Sequence, residues 1–339
     1  MGLRGRIVRQ LGVRLPSALL RPLAGPAAVF FHGVELDIFD PELQSNHHRI
    51  EDFYEIALAL KSEFDVAPLS ALPDVLATPS RHRRTVFLMS DDGYANTLSV
   101  AAPMLGSIRL PWTLFVSTEH IDSGTRNPVF LVRLFARHAP DGRYRFRWFK
   151  EPLVLAGSRR YAAQDFLKRF RCLALDNARE TLREIVTIFD KHGLSELLTR
   201  YQSDSFLNWD DVRALAQRGV IIGAHADYHW PMHEQESTRN LRQQALRPRQ
   251  RIEAEIGPCR HFAYPFGNTA DVCARAWQAV RDAGYEYAFT TLSGTLDGSE
   301  NPWLLPRYGL GPSEPNLAST VSLARLGNAR LAKWQRHLT

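Results

Sequence analysis

Cysteine is scarce in this chain of 339 residues: Cys172, Cys259 and Cys273 form no C-x-x-C pair and leave one over. That set argues against a disulfide framework or a cysteine-ligated zinc knuckle, and it fits a reducing, cytoplasmic setting. Long apolar runs are missing too. No window approaches the roughly 18 uninterrupted apolar residues that cross a bilayer. The opening MGLRGRIVRQLGVRLPSALLRPL is broken by arginine and proline, so it reads neither as a signal peptide nor as a transmembrane helix. Internal repeats and low-complexity tracts are absent. So are helix-turn-helix, zinc-finger and RNA-recognition patterns, which leaves nucleic acid outside the expected partners. Acidic residues are missing before Glu35, whereas Arg4, Arg6, Arg9, Arg14 and Arg21 all precede it. This basic segment is either simply solvated or drawn to an acidic glycan or an anionic membrane surface at the cytoplasmic face, at about 1 kcal/mol per basic residue near such a surface.

Short apolar runs alternating with amphipathic stretches are what the chain does have, and they read as β/α units. Ala27 to His32 and Thr85 to Ser90 read as buried strands, with a helix over Ile50 to Phe64 between them. Tyr94 to Leu105 suits a helix kinked or ended by Pro103, and Trp112 to Ser117 suits a third strand. After an interruption, Asn208 reads as an N-cap and Gly219 as a helix stop before the apolar Val220 to Ile222. A helical region near 235–256 is disrupted by Pro248; a helix over Asp271 to Ala283 and a strand over Tyr287 to Thr291 follow. The predicted domains are a basic segment 1–26, a catalytic domain 27–312 and a basic tail 313–339. Within the catalytic domain, about 120–205 reads as an insertion that carries RYRFRWFK (Arg143 to Lys150). As an edge strand, that run would put Tyr144, Phe146 and Trp148 on one face.

The polar clusters fall at predicted strand ends, where parallel α/β architectures gather ligands. Asp91 and Asp92 precede Gly93, which permits a sharp turn that turns both carboxylates toward one site. A capped Asp-Gly turn is the plainer alternative. His225 and His229 lie at i,i+4, one face of a helix if the segment is helical. With one carboxylate they make a set suited to zinc or another first-row divalent ion, leaving positions for water and substrate. His233 could extend the set, but Pro231 diverts the chain.

A third segment, Arg260 to Gly267 with YPFG at its end, completes a joint pattern. DDG, HADYH and YPFG in this order resemble the polysaccharide deacetylase family, carbohydrate esterase family four, over about residues 28–310 outside the insertion. PWTLFVST (Pro111 to Thr118), Asn208 to His225 and LLPRYGL (Leu304 to Leu310) add to the likeness. The resemblance implies a distorted (β/α)7-type barrel with an inserted helical and aromatic segment. It implies Asp91 as general base, and Asp92, His225 and His229 as ligands of one divalent ion, zinc, with cobalt or nickel as alternatives. Tyr264, Pro265 and Phe266 would lie at the substrate, with the Phe266 N–H facing the oxyanion. The implied substrate is an N-acetylated amino sugar in a glycan or lipid-linked saccharide.

Three departures bear on mechanism. Ala226 stands where the family has Ser or Thr, Ala263 where an arginine often orients the base, and Arg307 where many members carry a general-acid histidine. The roles are therefore expected to be redistributed, with Arg307 paired to Asp91 and His32 protonating the leaving amine. Two rival readings stay open: an amide or imide hydrolase on the same barrel, and a glycan-binding pseudoenzyme that lacks its acid.

Overall fold

A computed structural model of the chain describes residues 25–311 apart from Ser158, together with 321 and 327–338. The basic segment 1–26 therefore lies outside the described residues except for Gly25 and Pro26. Its strands are β1 (Ala27–Phe31), β2 (Gly33–Glu35), β3 (His47–Arg49), β4 (Asp65–Val66), β5 (Thr85–Ser90), β6 (Thr113–Val116), β7 (Gly142–Tyr144), β8 (Leu153–Leu155), β9 (Ile221–Ala224), β10 (His261–Ala263), β11 (Tyr287–Phe289) and β12 (Tyr308–Gly309). One parallel sheet runs in the order β11-β10-β9-β6-β5-β1-β12, with β4 also on β5. Leu305 pairs in parallel with Phe289 of β11, and Tyr308 and Gly309 pair with Val29 and Phe30 of β1. The segment 305–309 thus draws both edges of the curled sheet together as a distorted barrel. No described helix is long and apolar enough to cross a membrane.

The strands β1 and β5 are buried at every position, as parallel strands covered on both faces must be. Alternation divides their side chains between two cores. Ala28, Phe30, Phe87, Met89, Phe115, Ala263, Phe289 and Leu305 cluster inside the curl. Val29, Phe31, Val86, Leu88, Leu114 and Phe262 pack outward with Phe53, Leu60, Val212, Leu241 and Val280 of the covering helices. Those helices are the crossovers that parallel pairing requires, including Ile50–Glu63, Trp209–Gln217, Thr238–Glu255 and Ala274–Asp282. Asn208 caps its helix in a reciprocal capping box with Asp211.

Several local expectations are corrected. Pro248 sits inside the unbroken helix Thr238–Glu255. Pro103 follows directly on a π-helical stretch, Thr97–Ala101, that runs into Ala102–Ser107, so the helix is locally widened just before the proline rather than ended by it. The aromatic run is a strand only as far as Tyr144, because Phe146 turns in to pack on Phe135 and Phe166. Trp148, expected on the same face, is exposed and donates to Glu180 Oε2 at 2.8 Å. The segment 120–205 contributes helices Pro128–His138, Arg159–Phe170 and Leu175–Asp190 to a second core, into which Trp230 from the barrel side is inserted. At the far end of the chain, the helix Asn328–Leu338 docks on the barrel, Gln335 Nε2 donating to Leu304 O at 2.9 Å.

Candidate active site

Every predicted polar cluster lies at the carboxyl end of a sheet strand. Asp91 and Asp92 follow β5, His225 follows β9, and the YPFG turn follows β10. In extended backbone, neighbouring side chains diverge, so Asp91 and Asp92 can share a cavity only if the chain turns between them. It does: Asp92 has φ 76° and Gly93 φ 81°. A Cβ on Gly93 would lie 3.0 Å from Val116 Cγ1. Among the described residues the non-glycine positions with positive φ are Asp92, Arg109, Ala226, His229 and Phe266. Four of these five belong to the site, where such strain persists only under strong local constraint.

No helix forms under HADYH. His225 to His229 is an irregular loop with Ala226 at φ 58° and His229 at φ 49°. Hydrogen bonds hold it: Ser117 Oγ donates to His225 O at 2.7 Å, Thr118 Oγ1 to Asp227 Oδ1 at 2.7 Å, and Glu119 N–H to Asp227 O at 2.9 Å. Two left-handed residues therefore bring the imidazoles together where the helical spacing would have done so. His233 goes elsewhere, its Nε2 facing Arg171 O and Leu173 O, both at 3.1 Å.

Asp92 Oδ1 lies 2.9 Å from His229 Nε2 and 3.3 Å from His225 Nε2. All three side chains are buried, and Oδ1 has no well-aligned hydrogen bond. His225 Nδ1 lies 2.7 Å from Ala263 O, an arrangement that leaves Nε2 as the ligand atom and fixes the ring. Two imidazole nitrogens and one carboxylate oxygen crowded at an orphaned buried atom fit a divalent cation. Burial opposes ionisation of Asp92, but the His229 and His225 rings outweigh it and hold its pKa well below the usual range. Burial likewise disfavours the cationic form of His225, and Asp91 and Asp92 reverse that, raising its pKa.

Asp91 is gripped by Arg307, Nη1 to Oδ1 at 2.7 Å and Nη2 to Oδ2 at 2.9 Å. The guanidinium is fully buried inside the curl, over the Phe30 and Phe115 rings at 4.4 and 5.5 Å. Burial alone would raise the Asp91 pKa; Arg307 overturns that and holds it low. The His32 pKa is lowered, burial outweighing the Asp92 and Asp91 charges. His32 and Phe266 line one cavity of about 340 Å³ with Asp91, Asp92, His225 and His229. Tyr264 and Pro265, expected at the substrate, do not line it. Tyr264 belongs to the outer core and donates its hydroxyl to Trp303 O at 3.0 Å. Alternation alone would keep these two aromatics, two positions apart, on one face; the left-handed Phe266, at φ 61°, breaks the extended geometry between them.

Periodicity gave no signal for other cavity residues. Tyr94 follows the DDG turn, and its hydroxyl pKa is raised by burial, Asp92 and Asp204. Asn127, Phe130, Arg133 and Asp204 come from the 120–205 segment. So does Arg171, which stacks 3.8 Å over the Phe266 ring and pairs with Asp271 at 2.9 Å. A second buried group, Glu35, His47 and Asp204, has the imidazole between its carboxylates, Nδ1 3.4 Å from Glu35 Oε1 and Nε2 3.6 Å from Asp204 Oδ1. Its three residues also bring one ligand atom each within 4.8 Å of one another, and they tie β2 and β3 to Asp204 of the 120–205 segment.

The sequence pattern described as polysaccharide deacetylase matches residues 168–288, a stretch that holds HADYH and YPFG but begins after DDG. Over that stretch the chain is similar to the polysaccharide deacetylase family. That family is one of hydrolases acting on N-acetyl amide bonds. No curated protein matches the sequence. Solved structures agree on the polysaccharide deacetylase fold. A Streptococcus pyogenes deacetylase, PplD, in complex with acetate is similar at 14% identity and TM-score 0.57, covering 88% of this chain and 98% of that one. IcaB from Ammonifex degensii is similar at 14% identity and TM-score 0.55, covering 88% of this chain and 97% of its own.

Proposed function

We propose that this chain hydrolyses the N-acetyl group of an amino sugar in a glycan or lipid-linked saccharide, with one divalent ion held by Asp92, His225 and His229. The observation that carries the reading is the meeting of those three ligand atoms with the ion-paired Asp91 in one cavity. Zinc suits two imidazoles and a carboxylate, with cobalt or nickel as alternatives. When bound, the ion supplies Lewis acidity toward the acetyl carbonyl and lowers the pKa of a water.

The protein's own groups do the rest. Asp91, kept ionised and oriented by Arg307, accepts a proton from the attacking water. The Phe266 N–H, which has no partner among the described residues, donates to the developing oxyanion. His32 delivers a proton to the leaving amine. Because its pKa is lowered, His32 starts each cycle neutral, so the proton that Asp91 takes from the water must pass to His32 before the leaving amine receives it. The arginine at position 307 favours a second reading, a glycan-binding protein without turnover, since it occupies the place of the usual acid. Metal analysis and acetate release from N-acetylglucosamine oligomers, on wild type and His225→Ala, test both. Stoichiometric metal with acetate release, both lost in the variant, is expected. Metal without turnover on any acetylated saccharide favours the second reading, and no metal in the wild type overturns the first.

A further inference from the structure

The cavity at Asp91 and Asp92 adjoins a groove of about 310 Å³, and Leu43 and Arg133 stand in the walls of both. Arg137, Arg159 and Arg160 also line the groove: Arg137 faces Glu42 and Asp40, Arg159 pairs with Asp141, and Arg160 is exposed to solvent. Arg133 differs. It is half-buried on the helix Pro128–His138, and its hydrogen bond is to Ser45 Oγ at 3.3 Å. No carboxylate among the described residues is within ion-pair distance of it. The carboxylates of the same cavity are engaged elsewhere. Asp91 is held by Arg307, Asp92 faces the two histidines, and Asp204 accepts from Gln44 at 3.1 Å and faces His47. The electrostatic neighbours of Arg133 are Tyr94 and a second cation, Arg171.

A guanidinium withdrawn from water without a counter-charge is unfavourable, and its planar fork matches two oxygens of one anion. We propose that Arg133 binds an anionic oxygen pair, a carboxylate or a phosphate, on the saccharide next to the acetylated unit, making the preferred substrate an acidic glycan. This rests on the deacetylase reading for the substrate's acetyl group but not for its charge. Arg133 is a specificity residue supplied by the segment 120–205, at the junction between the reacting centre and the groove.

The test measures equilibrium binding by calorimetry, with zinc-loaded full chain carrying Asp91→Asn to block turnover. The probes are a tetrasaccharide alternating N-acetylglucosamine with glucuronate, N-acetylglucosamine phosphate, and the uncharged N-acetylglucosamine tetramer. Acidic probes are expected to bind about tenfold or more tightly than the neutral one, a charge-assisted contact's worth. Arg133→Gln brings that ratio close to one, and Arg133→Lys retains part of it, with the preference weakening as salt rises. The lysine variant keeps the test valid if the glutamine variant misfolds. Preference for the glucuronate probe alone assigns a carboxylate, and for the phosphate probe alone a phosphate. Equal binding of all probes, no binding of either acidic probe, or a ratio untouched by Arg133→Gln overturns the proposal. Acetate release by the Asp91 enzyme separates the two ideas. Acidic preference without turnover sinks the deacetylase reading alone, and turnover without acidic preference sinks this one alone.

Discussion

Arg307→Met removes one partner of a pair buried at 0% and 2% exposure. The two contacts at 2.7 and 2.9 Å are lost, and Asp91 stays behind as an uncompensated carboxylate. Breaking a buried pair in this way costs about 3–5 kcal/mol. With roughly 2.1 cal/mol/K of unfolding entropy per residue over 339 residues, each kcal/mol is worth about 1.4 °C, so the midpoint should fall by about 4–7 °C. The pH dependence has a definite sign. Asp91's lowered pKa gives stability that is present above the unfolded value near 3.9 and is lost as pH falls through the folded value. In the variant that gain is gone, so the deficit against wild type keeps its full width down to about pH 4 and narrows only below that, as pH falls toward the folded value. Adding Asp91→Asn removes the stranded charge and should recover most of the loss. What remains reports the lost packing on Phe30 and Phe115 and the Arg307 Nε to Thr290 O bond at 3.0 Å. Thermal unfolding in chelator, by circular dichroism at several pH values, gives the double-mutant cycle. If the two losses simply add, with coupling under about 0.5 kcal/mol, the stabilisation comes from stacking and the electrostatic account is wrong.

Asp91→Asn should reduce acetate release by roughly 10²- to 10⁴-fold with metal content unchanged, because it removes proton transfer and leaves the ligands in place; atomic absorption beside a rate assay checks both halves. His32→Gln should cut turnover by a similar factor, and full retention of rate would remove His32 from the mechanism. Burial raises the Asp204 pKa to about 6, so its contribution to stability is fully present below the unfolded value and is lost as pH rises through about 6. Asp204→Asn should therefore flatten the stability profile between about pH 4 and 6, with an unchanged profile counting against the assignment. Gly93→Ala places a side chain at φ 81° and 3.0 Å from Val116, for a loss of about 1–2 kcal/mol and weaker metal binding, read by denaturant unfolding and metal titration.

Much of the frame was legible because it depends on local burial. TVFLMS announces β5 through uninterrupted apolar character, and Asn208 announces its helix through the chemistry of an N-cap. Residue types at strand ends also announced the carboxylate and imidazole set. Less legible was anything set by a partner distant in sequence. The aromatic run was expected as one strand, yet Phe146 follows Phe135 and Phe166 inward while Trp148 stays at the surface. Pro248 was expected to break a helix that packing holds continuous.

By itself, then, the sequence determined the β/α rhythm, the donor types and their placement after strands, since each follows from short-range spacing and side-chain chemistry. The tertiary structure decided how those donors meet. Left-handed residues at Asp92, Ala226 and His229, rather than a helix, bring the carboxylate and the two imidazoles within 4.8 Å of one another. Curling of the sheet sets Arg307 against Asp91, 216 positions apart, and sends Tyr264 away from the cavity that Phe266 enters. The 120–205 segment delivers Arg133 and Arg171 to the site, since the packing of its own core directs its helices there. Spacing along a chain fixes which face a residue occupies, and only the closed fold fixes which other faces it meets.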